Sequence, residues 1–213
     1  MGHPLRPEDR EAIYHAIARG NNRGRIVWNT QDRASLAGEL ARAATKHRWE
    51  VFAWCLMSTH YHVVLRTPHG GLSAGFQAIN GNHARRTNRR HGRVGHLFEN
   101  RFWSDEIATE AHLVASILYV ARNPIEARLC SEAGMWPDSS YRATAGLTAA
   151  PSWLALDVVH PLFGDERRSA QVQYAQSVHF GHPPVSDTIQ RVKLVEPWDL
   201  EESEGGLVVA RAA

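Results

Sequence analysis

Apolar residues along the first 130 positions follow either a strand pattern or the spacing of a helix. Each change from one pattern to the other predicts an element boundary. Residues 11–19 predict a strand that ends in the turn-like residues 20–24, and residues 60–67 predict a strand whose side chains alternate between two faces. Residues 49–58 are almost continuously apolar, which is typical of a strand covered on both faces. Residues 101–109 predict a fourth strand.

Apolar residues at helical spacing predict three helices between and after these strands. The predicted helices span residues 30–46, 72–90 and 110–122. Thr30 or Asp32 could cap the first helix, since both residue types favour the N-cap. Asn123-Pro124 is expected to end the third helix, because the residue before a proline avoids the α region.

The resulting order, β-α-β-β-α-β followed by a helix, predicts an α+β protein. It is the split βαβ arrangement of ferredoxin-like folds, with an antiparallel sheet. We expect the helices on one face of this sheet and a functional site on the other face.

The pattern weakens after residue 130, and this change divides the chain. Residues 152–163 and 167–180 could form short helices, and the last stretch is rich in Pro, Gly and acidic residues. We therefore predict a catalytic domain at residues 10–130, a small helical extension at 131–181 and a loosely ordered tail at 182–213.

Charge is unevenly distributed along the chain. Residues 1–130 contain 18 basic and 11 acidic residues, whereas residues 131–213 contain 6 and 11. Of the 24 basic residues 22 are Arg, whose planar fork pairs with phosphate oxygens. A basic front half indicates a polyanionic partner.

The composition also argues against a membrane-spanning, secreted or disulfide-rich protein. No apolar run approaches the roughly 20 residues that span a bilayer. Residues 1–10 lack the apolar core of a secretory signal. Cys55 and Cys130 lie too far apart in sequence for a CxxC metal site, and two cysteines make no disulfide framework. We expect a cytoplasmic protein with no membrane partner.

His60 and His62 form the sharpest local motif. Side chains at positions i and i+2 of a strand point to the same face, so both imidazoles project from one side of the sheet. Such a pair can share one divalent ion. Read alone, the motif is weak evidence for a metal site, and exposed or otherwise satisfied histidines are the favoured interpretation.

Tyr119 and Asn123 lie four residues apart on the third predicted helix, hence on one helix face. His112 and Ser116 share this polar stripe, whereas the buried stripe carries apolar residues. Tyr119 could be an amphipathic side chain at the core margin, and Asn123 could be a simple helix-terminal residue.

Basic residues gather near the end of the second predicted helix and at strand ends, where phosphate contact is the favoured interpretation over a solvated charged face. With Asn21, which lies in the first turn, the predicted nucleic-acid contacts are Arg19, Asn21, Arg23, Arg66, Arg85, Arg86, Arg89, Arg90, Arg93 and Arg101.

Several blocks together resemble the IS200-like, REP-associated tyrosine transposases. The blocks are YHAIARGNNR (14–23), AWCLMSTHYHVV (53–64), GHLFENRF (95–102), YVARNPIEA (119–127) and WPDSSY (136–141). They occur in order over about residues 10–142. Ser58-Thr59 replaces the family's usual Pro-Asn, and Arg122 stands where the family often has His or Glu.

The resemblance implies an HUH endonuclease fold and a specific set of roles. Tyr119 would be the nucleophile, and His60, His62 and Asn123 the ligands of Mg²⁺ or Mn²⁺. The implied reaction nicks and rejoins single-stranded or hairpin DNA through a 5′-phosphotyrosine, in a monomer or a homodimer. The rival hypotheses are a DNA- or RNA-binding regulator without nicking activity, and a hydrolase in which water attacks the phosphate.

Overall fold

A computed structural model describes residues 9–182 and the backbone of two short segments near the C-terminus. The strands are β1 (Ile13–Arg19), β2 (Glu50–Leu56), β3 (His60–Arg66), β4 (Trp103–Ile107), β5 (Leu200–Glu202) and β6 (Val208–Ala210). The helices are α1 (Thr30–His47), α2 (Leu72–His91), α3 (Glu110–Glu126), α4 (Tyr141–Thr144), α5 (Leu156–Val159) and α6 (Arg167–Phe180). No helix in these ranges has the length and apolar character needed to cross a bilayer.

Strands β1 to β4 form one antiparallel sheet in the order β2-β3-β1-β4. The predicted order of elements and the split βαβ arrangement are therefore confirmed. The observed β2 and β4 are shorter than predicted. Helix α1 begins at Thr30, and its N-cap is Asn29, whose Oδ1 accepts the Asp32 N–H at 2.9 Å.

Helices α1 and α2 cover one face of the sheet. Tyr61, Val63 and Leu65 point to this side of β3, where they pack with Leu36 of α1 and Phe76 of α2. All five side chains are buried. The alternation predicted for residues 60–67 thus places the apolar set in this core, and the histidines of β3 on the opposite face.

The opposite face is covered as well, which corrects the expectation of helices on one face only. Ile117 and Val120 of α3 pack there with Val64 of β3, Cys55 of β2 and Tyr174 of α6. These strand residues are apolar, so leaving them in water would be unfavourable. The candidate site consequently lies between the sheet and α3, and not on an open sheet surface.

Helix α3 continues past the expected stop, so the prediction of its end at Arg122 was wrong. Pro124 lies inside the helix, which ends at Glu126. A proline removes one backbone donor and disfavours helical geometry before it, but burial can outweigh that preference. Asn123 and Pro124 are both buried, and Asn123 is therefore held inside the last turns of the helix.

Residues after α3 cover the edge of the sheet at β2. The Leu56 N–H donates to the Asp138 carbonyl at 2.8 Å, and the Trp136 indole N–H donates to the Leu56 carbonyl at 3.1 Å. The Val51 N–H donates to the Trp153 carbonyl at 3.3 Å. An edge strand with unpaired backbone groups invites aggregation, and this segment occupies part of that edge.

The C-terminal predictions have mixed outcomes. Helix α6 matches the predicted span 167–180, whereas residues 152–163 contain only α5 and a 3₁₀ turn at His160–Leu162. Most of the predicted tail at 182–213 lies outside the described residues. Its described part is an antiparallel pair in which β5 and β6 face each other.

Candidate active site between strand β3 and helix α3

His60 and His62 lie at the start of β3 on the sheet face that α3 covers. Their ring centroids are 4.9 Å apart, and the planes are almost perpendicular at 86°. His62 is completely buried, whereas His60 is partly exposed. The prediction that both project from one face of the sheet holds, although the face is covered.

Asn123 of α3 lies against both histidines. Its Oδ1 is 3.4 Å from His60 Nε2, and its Nδ2 is 3.3 Å from His62 Nε2. One amide therefore faces the outer ring nitrogens of two imidazoles. The polar stripe of α3 that includes Ser116 and Asn123 faces the sheet and not solvent, because both residues are buried.

Tyr119 lies one turn before Asn123 on the same face of α3. Its ring centroid is 5.7 Å from that of His62, and the two planes meet edge to face at 86°. The side chain is partly buried. The structure thus brings together four residues that the sequence predicted as a set: His60, His62, Tyr119 and Asn123.

His15 belongs to this group, and sequence reasoning missed it. Its Nε2 is 3.0 Å from His62 Nδ1, and its ring is 6.0 Å from that of Tyr119. In the antiparallel ladder Ile17 lies opposite His62, so His15 is the diagonal neighbour on the same face. The only sequence signal was a histidine in β1 in phase with Ile17 and Arg19.

Burial keeps the imidazoles of the site neutral. Burial lowers the pKa of His15 to about 4, and His112 adds to the effect. Burial also lowers the pKa of His60 to about 4, against a smaller opposing effect of the Asn123 hydrogen bond. Burial, together with His60 and His15, holds the pKa of His62 well below its usual range. Neutral imidazole is the form that ligates metals.

The inner ring nitrogens of His60 and His62 are both engaged. Thr59 Oγ1 lies 2.9 Å from His60 Nδ1, and His15 Nε2 lies 3.0 Å from His62 Nδ1. Such partners fix the orientation of the rings, so that both Nε2 atoms face Asn123.

This donor set fits a divalent ion held by two imidazoles and one amide oxygen. Within the described part of the chain, no group of three or more His, Cys, Asp or Glu side chains is arranged to hold a metal ion. An ion held by His60, His62 and Asn123 would keep its full charge, because these three donors are neutral.

The predicted nucleic-acid contacts separate into two groups. Arg19 lies opposite His60 in the β1–β3 ladder. Asn21 and Arg23 form the exposed 3₁₀ turn that follows. The Thr59 carbonyl accepts the N–H of Gly20, so this turn adjoins the start of β3.

Other members of the predicted set lie elsewhere or pair with acids. Arg66 is at the far end of β3, roughly 20 Å from His60 at 3.3 Å per residue. It forms an ion pair with Glu50 at 2.6 Å. Arg86 lies 3.4 Å from Glu39.

Arg90 pairs with the fully buried Asp32. Burial opposes ionisation of Asp32, but the hydrogen bonds from Trp28, His91 and Arg90 outweigh it and lower the pKa of that carboxyl.

The remaining members are exposed. Arg85 donates to Asn82 Oδ1 at 2.5 Å. The Arg93 guanidinium lies 4.9 Å from the Trp28 ring centroid. For Arg89 and Arg101, the described residues show no ion pair with an acid.

A ferredoxin-like sheet with a His-x-His pair facing a tyrosine-bearing helix defines the HUH fold class. The chain belongs to the family described as "Transposase IS200 like", whose model matches residues 10–122. The predicted family and fold are confirmed, and the family is one of DNA-processing enzymes.

One solved structure, that of a REP-associated tyrosine transposase, supports the same fold. The chain is 18% identical to a REP-associated tyrosine transposase bound to a REP hairpin, with a TM-score of 0.57; the match covers 71% of this chain and 89% of that one. A candidate transposase from Deinococcus radiodurans is also 18% identical, over 61% of this chain and 94% of that one, with a TM-score of 0.38. None of the curated proteins compared is significantly similar in sequence.

Proposed function

We propose that this protein is a REP-associated tyrosine transposase-like enzyme that cuts and rejoins single-stranded DNA through Tyr119. One observation carries the proposal: Asn123 faces the Nε2 atoms of His60 and His62 while Tyr119 lies one turn away, with its ring 5.7 Å from that of His62. A nucleophile and three neutral donors are thereby collected at one partly accessible point.

His60, His62 and Asn123 would hold the divalent ion, Mg²⁺ or Mn²⁺. Imidazole donors favour Mn²⁺, whereas Mg²⁺ prefers oxygen. When bound, the ion neutralises charge on the scissile phosphate and orients it for in-line displacement. Burial of His62 excludes water from one side of the ligand set.

The chemical step assigned to Tyr119 is a transesterification. The phenolic oxygen forms a bond to phosphorus, the bond from phosphorus to the 3′ oxygen breaks, and the phenolic proton is transferred overall to that 3′ oxygen. The products are a 5′-phosphotyrosine and a free 3′-OH. Attack by a different 3′-OH reverses the step and joins two strands without ATP, because the covalent intermediate retains the phosphodiester energy.

The substrate we propose is single-stranded or hairpin DNA. The structurally similar REP-associated tyrosine transposase is bound to a REP hairpin, and in this chain the half-buried Arg19 and the exposed Arg23 lie beside the candidate site. Arg19, Asn21 and Arg23 are placed to contact phosphates near the cleaved bond. The short distance from Tyr119 to the histidines of its own chain favours catalysis within one protomer, in a monomer or in each half of a homodimer.

The covalent adduct tests this proposal. The protein is mixed with a labelled hairpin and Mn²⁺, and the adduct is separated on a denaturing gel. We expect an adduct with the wild type and none with Tyr119→Phe, which keeps the ring but lacks the attacking oxygen. Tyr141→Phe is the matched control, since Tyr141 packs against Tyr174 away from the site, and it should form the adduct normally.

The same experiment separates the rival functions. Cleavage without an adduct would indicate attack by water and would remove the role of Tyr119. Hairpin binding with neither cleavage nor adduct, with Mn²⁺ present, would indicate a DNA-binding regulator.

A further inference from the structure

A third imidazole, that of His15, lies behind the two proposed ligands. Its Nε2 is 3.0 Å from His62 Nδ1, and the two rings stack with centroids 5.2 Å apart and planes inclined by 30°. His15 is only 6% exposed. It faces away from the point where His60, His62 and Asn123 converge, because it contacts the inner nitrogen of His62 and not the outer one.

The contact between His15 and His62 constrains where the protons lie. A neutral imidazole carries one N–H and one lone pair, so of the two facing nitrogens one donates and the other accepts. His62 Nε2 faces the Asn123 Nδ2 donor at 3.3 Å. It must therefore present its lone pair, which places the proton of His62 on Nδ1 and makes His15 Nε2 the acceptor.

His60 is held differently. Its Nδ1 contacts Thr59 Oγ1 at 2.9 Å. A hydroxyl can rotate to donate or to accept, so Thr59 allows either tautomer of His60. The Asn123 Oδ1 acceptor, 3.4 Å from His60 Nε2, places the proton of metal-free His60 on Nε2, and this proton must move to Nδ1 before Nε2 can ligate an ion. An imidazole nitrogen cannot switch between donating and accepting by rotation. His15 Nε2, as an acceptor, therefore allows only one tautomer of His62. The two histidines of the motif are thus supported unequally.

We infer that His15 is a positioning residue that holds His62 as the Nδ1–H tautomer, with the Nε2 lone pair directed at the metal position. The inference rests on the proposed function, because it concerns the same ligand set. His15 acts through the inner nitrogen of His62, 3.0 Å from its own Nε2.

The tautomer can be measured directly in the metal-free protein. Long-range ¹H–¹⁵N correlation spectra distinguish a protonated Nδ1 from a protonated Nε2. We expect the Nδ1–H pattern for His62 in the wild type. In His15→Ala we expect the Nε2–H pattern to appear. A protonated Nε2 in the wild type would overturn the inference, whatever the stability of any variant.

Mn²⁺ binding provides the second readout. By analogy with other outer partners of ligating histidines, His15→Ala should weaken Mn²⁺ binding by about 10- to 100-fold in calorimetry. His15→Gln should recover most of the affinity, since its side-chain oxygen can accept from His62 Nδ1. A merely structural role would lower stability in both variants without this difference between them.

His160→Gln is the matched control. His160 is also buried, and its Nε2 lies 3.0 Å from the Thr144 carbonyl in the C-terminal extension. This variant should bind Mn²⁺ as the wild type does. Wild-type affinity in His15→Ala, or no Mn²⁺ binding by the wild type, would overturn the inference.

The outcomes for the inference and for the proposed function are distinguishable. An adduct that forms equally in the wild type and in His15→Ala, with unchanged Mn²⁺ affinity, would leave the function standing and refute the role of His15. Mn²⁺ binding that depends on His15, with no adduct under any condition, would refute the nucleophile and retain the positioning role.

Discussion

At the scale of single residues, the site concentrates neutral imidazoles where solvent has little access. Burial lowers the pKa of both His15 and His60 to about 4, and that of His62 well below its usual range. Protonating these rings therefore costs more free energy in the folded state than in the unfolded chain. The folded state favours the neutral rings, and the proposed metal ligation would require them neutral, so acid opposes both.

This arrangement predicts a specific pH dependence of stability. Between pH 6.5 and 4 the unfolded chain binds protons that buried His15 and His60 do not, so the free energy of unfolding falls as the pH falls through this window. The slope is about 1.4 kcal/mol per pH unit for each such proton. In His15→Gln, urea unfolding at pH 7, 6 and 5 should show a shallower slope. His69→Gln, which replaces a histidine at an exposed position, is the matched control.

A slope in His15→Gln equal to that of the wild type would show that His15 titrates alike in the folded and unfolded chain. The measurement needs no metal and no DNA. It therefore tests the burial of the ring independently of the proposed chemistry.

The sequence anticipated some of these residues for a clear physical reason. His60 and His62 are two apart on one strand, so their common face follows from the strand period alone. His15 lies 47 positions away from His62. Its contribution depends on the register between β1 and β3, which the pairing of side chains across the sheet decides and a local pattern does not.

At the scale of elements, the basic end of α2 is less available than its composition suggested. Arg86 faces Glu39 of α1, and Arg90 faces Asp32 at the start of α1. These pairs hold the two helices together and reduce the net charge that DNA would meet. More positive charge stays available to DNA on the exposed arginines, namely Arg89 and Arg93 near this end and Arg23 of the turn after β1.

The distinction predicts unequal effects on DNA binding. Replacing Arg23, Arg89 and Arg93 together by Ala should weaken binding of a single strand and flatten its salt dependence, by up to roughly 2 in the slope of log affinity against log salt. The control replaces Arg66 and Arg86, which already pair with acids. Fluorescence anisotropy at several salt concentrations measures both slopes.

A larger change of slope in the control than in the triple variant would contradict this division of the arginines. Equal changes would show that the ion pairs open when DNA binds.

Sequence periodicity predicted the elements better than their packing. It located the strands and helices of the first 130 residues in order, because each has its own apolar period. It did not predict the length of α3, since burial of Pro124 within the helix outweighs the local preference of the residue before a proline. Nor did it predict that α3 covers the sheet, which follows from tertiary contacts with Val64 and Cys55.

At the scale of the whole molecule, the C-terminal extension supports the helix that carries Tyr119. Arg122 of α3 donates hydrogen bonds to the carbonyls of Val178 and His179 at the end of α6. We propose that residues 10–130 are the catalytic unit and that residues 131–181 fix the position of α3 against the sheet. Arg122 makes this attachment.

Removing the attachment should loosen α3. In Arg122→Met we expect the free energy of unfolding to fall by about 1–2 kcal/mol, because a charge-assisted hydrogen bond between two elements is lost. Adduct formation should fall as well, since Tyr119 and Asn123 are adjacent on the same helix. Arg168→Met, at an exposed position of α6, is the control. Unchanged stability and adduct yield in Arg122→Met would separate the extension from the site.

The presence of Tyr119 and Asn123 on one helix has a mechanical consequence. His60 and His62 lie on the sheet, and Tyr119 and Asn123 lie on α3, so the proposed site forms where this helix packs against the sheet. A slide of α3 by one turn, about 5.4 Å, would withdraw the nucleophile and the amide donor in a single movement. In the proposed mechanism, cleavage would then be lost in one step, because a single helix carries both the nucleophile and the amide donor.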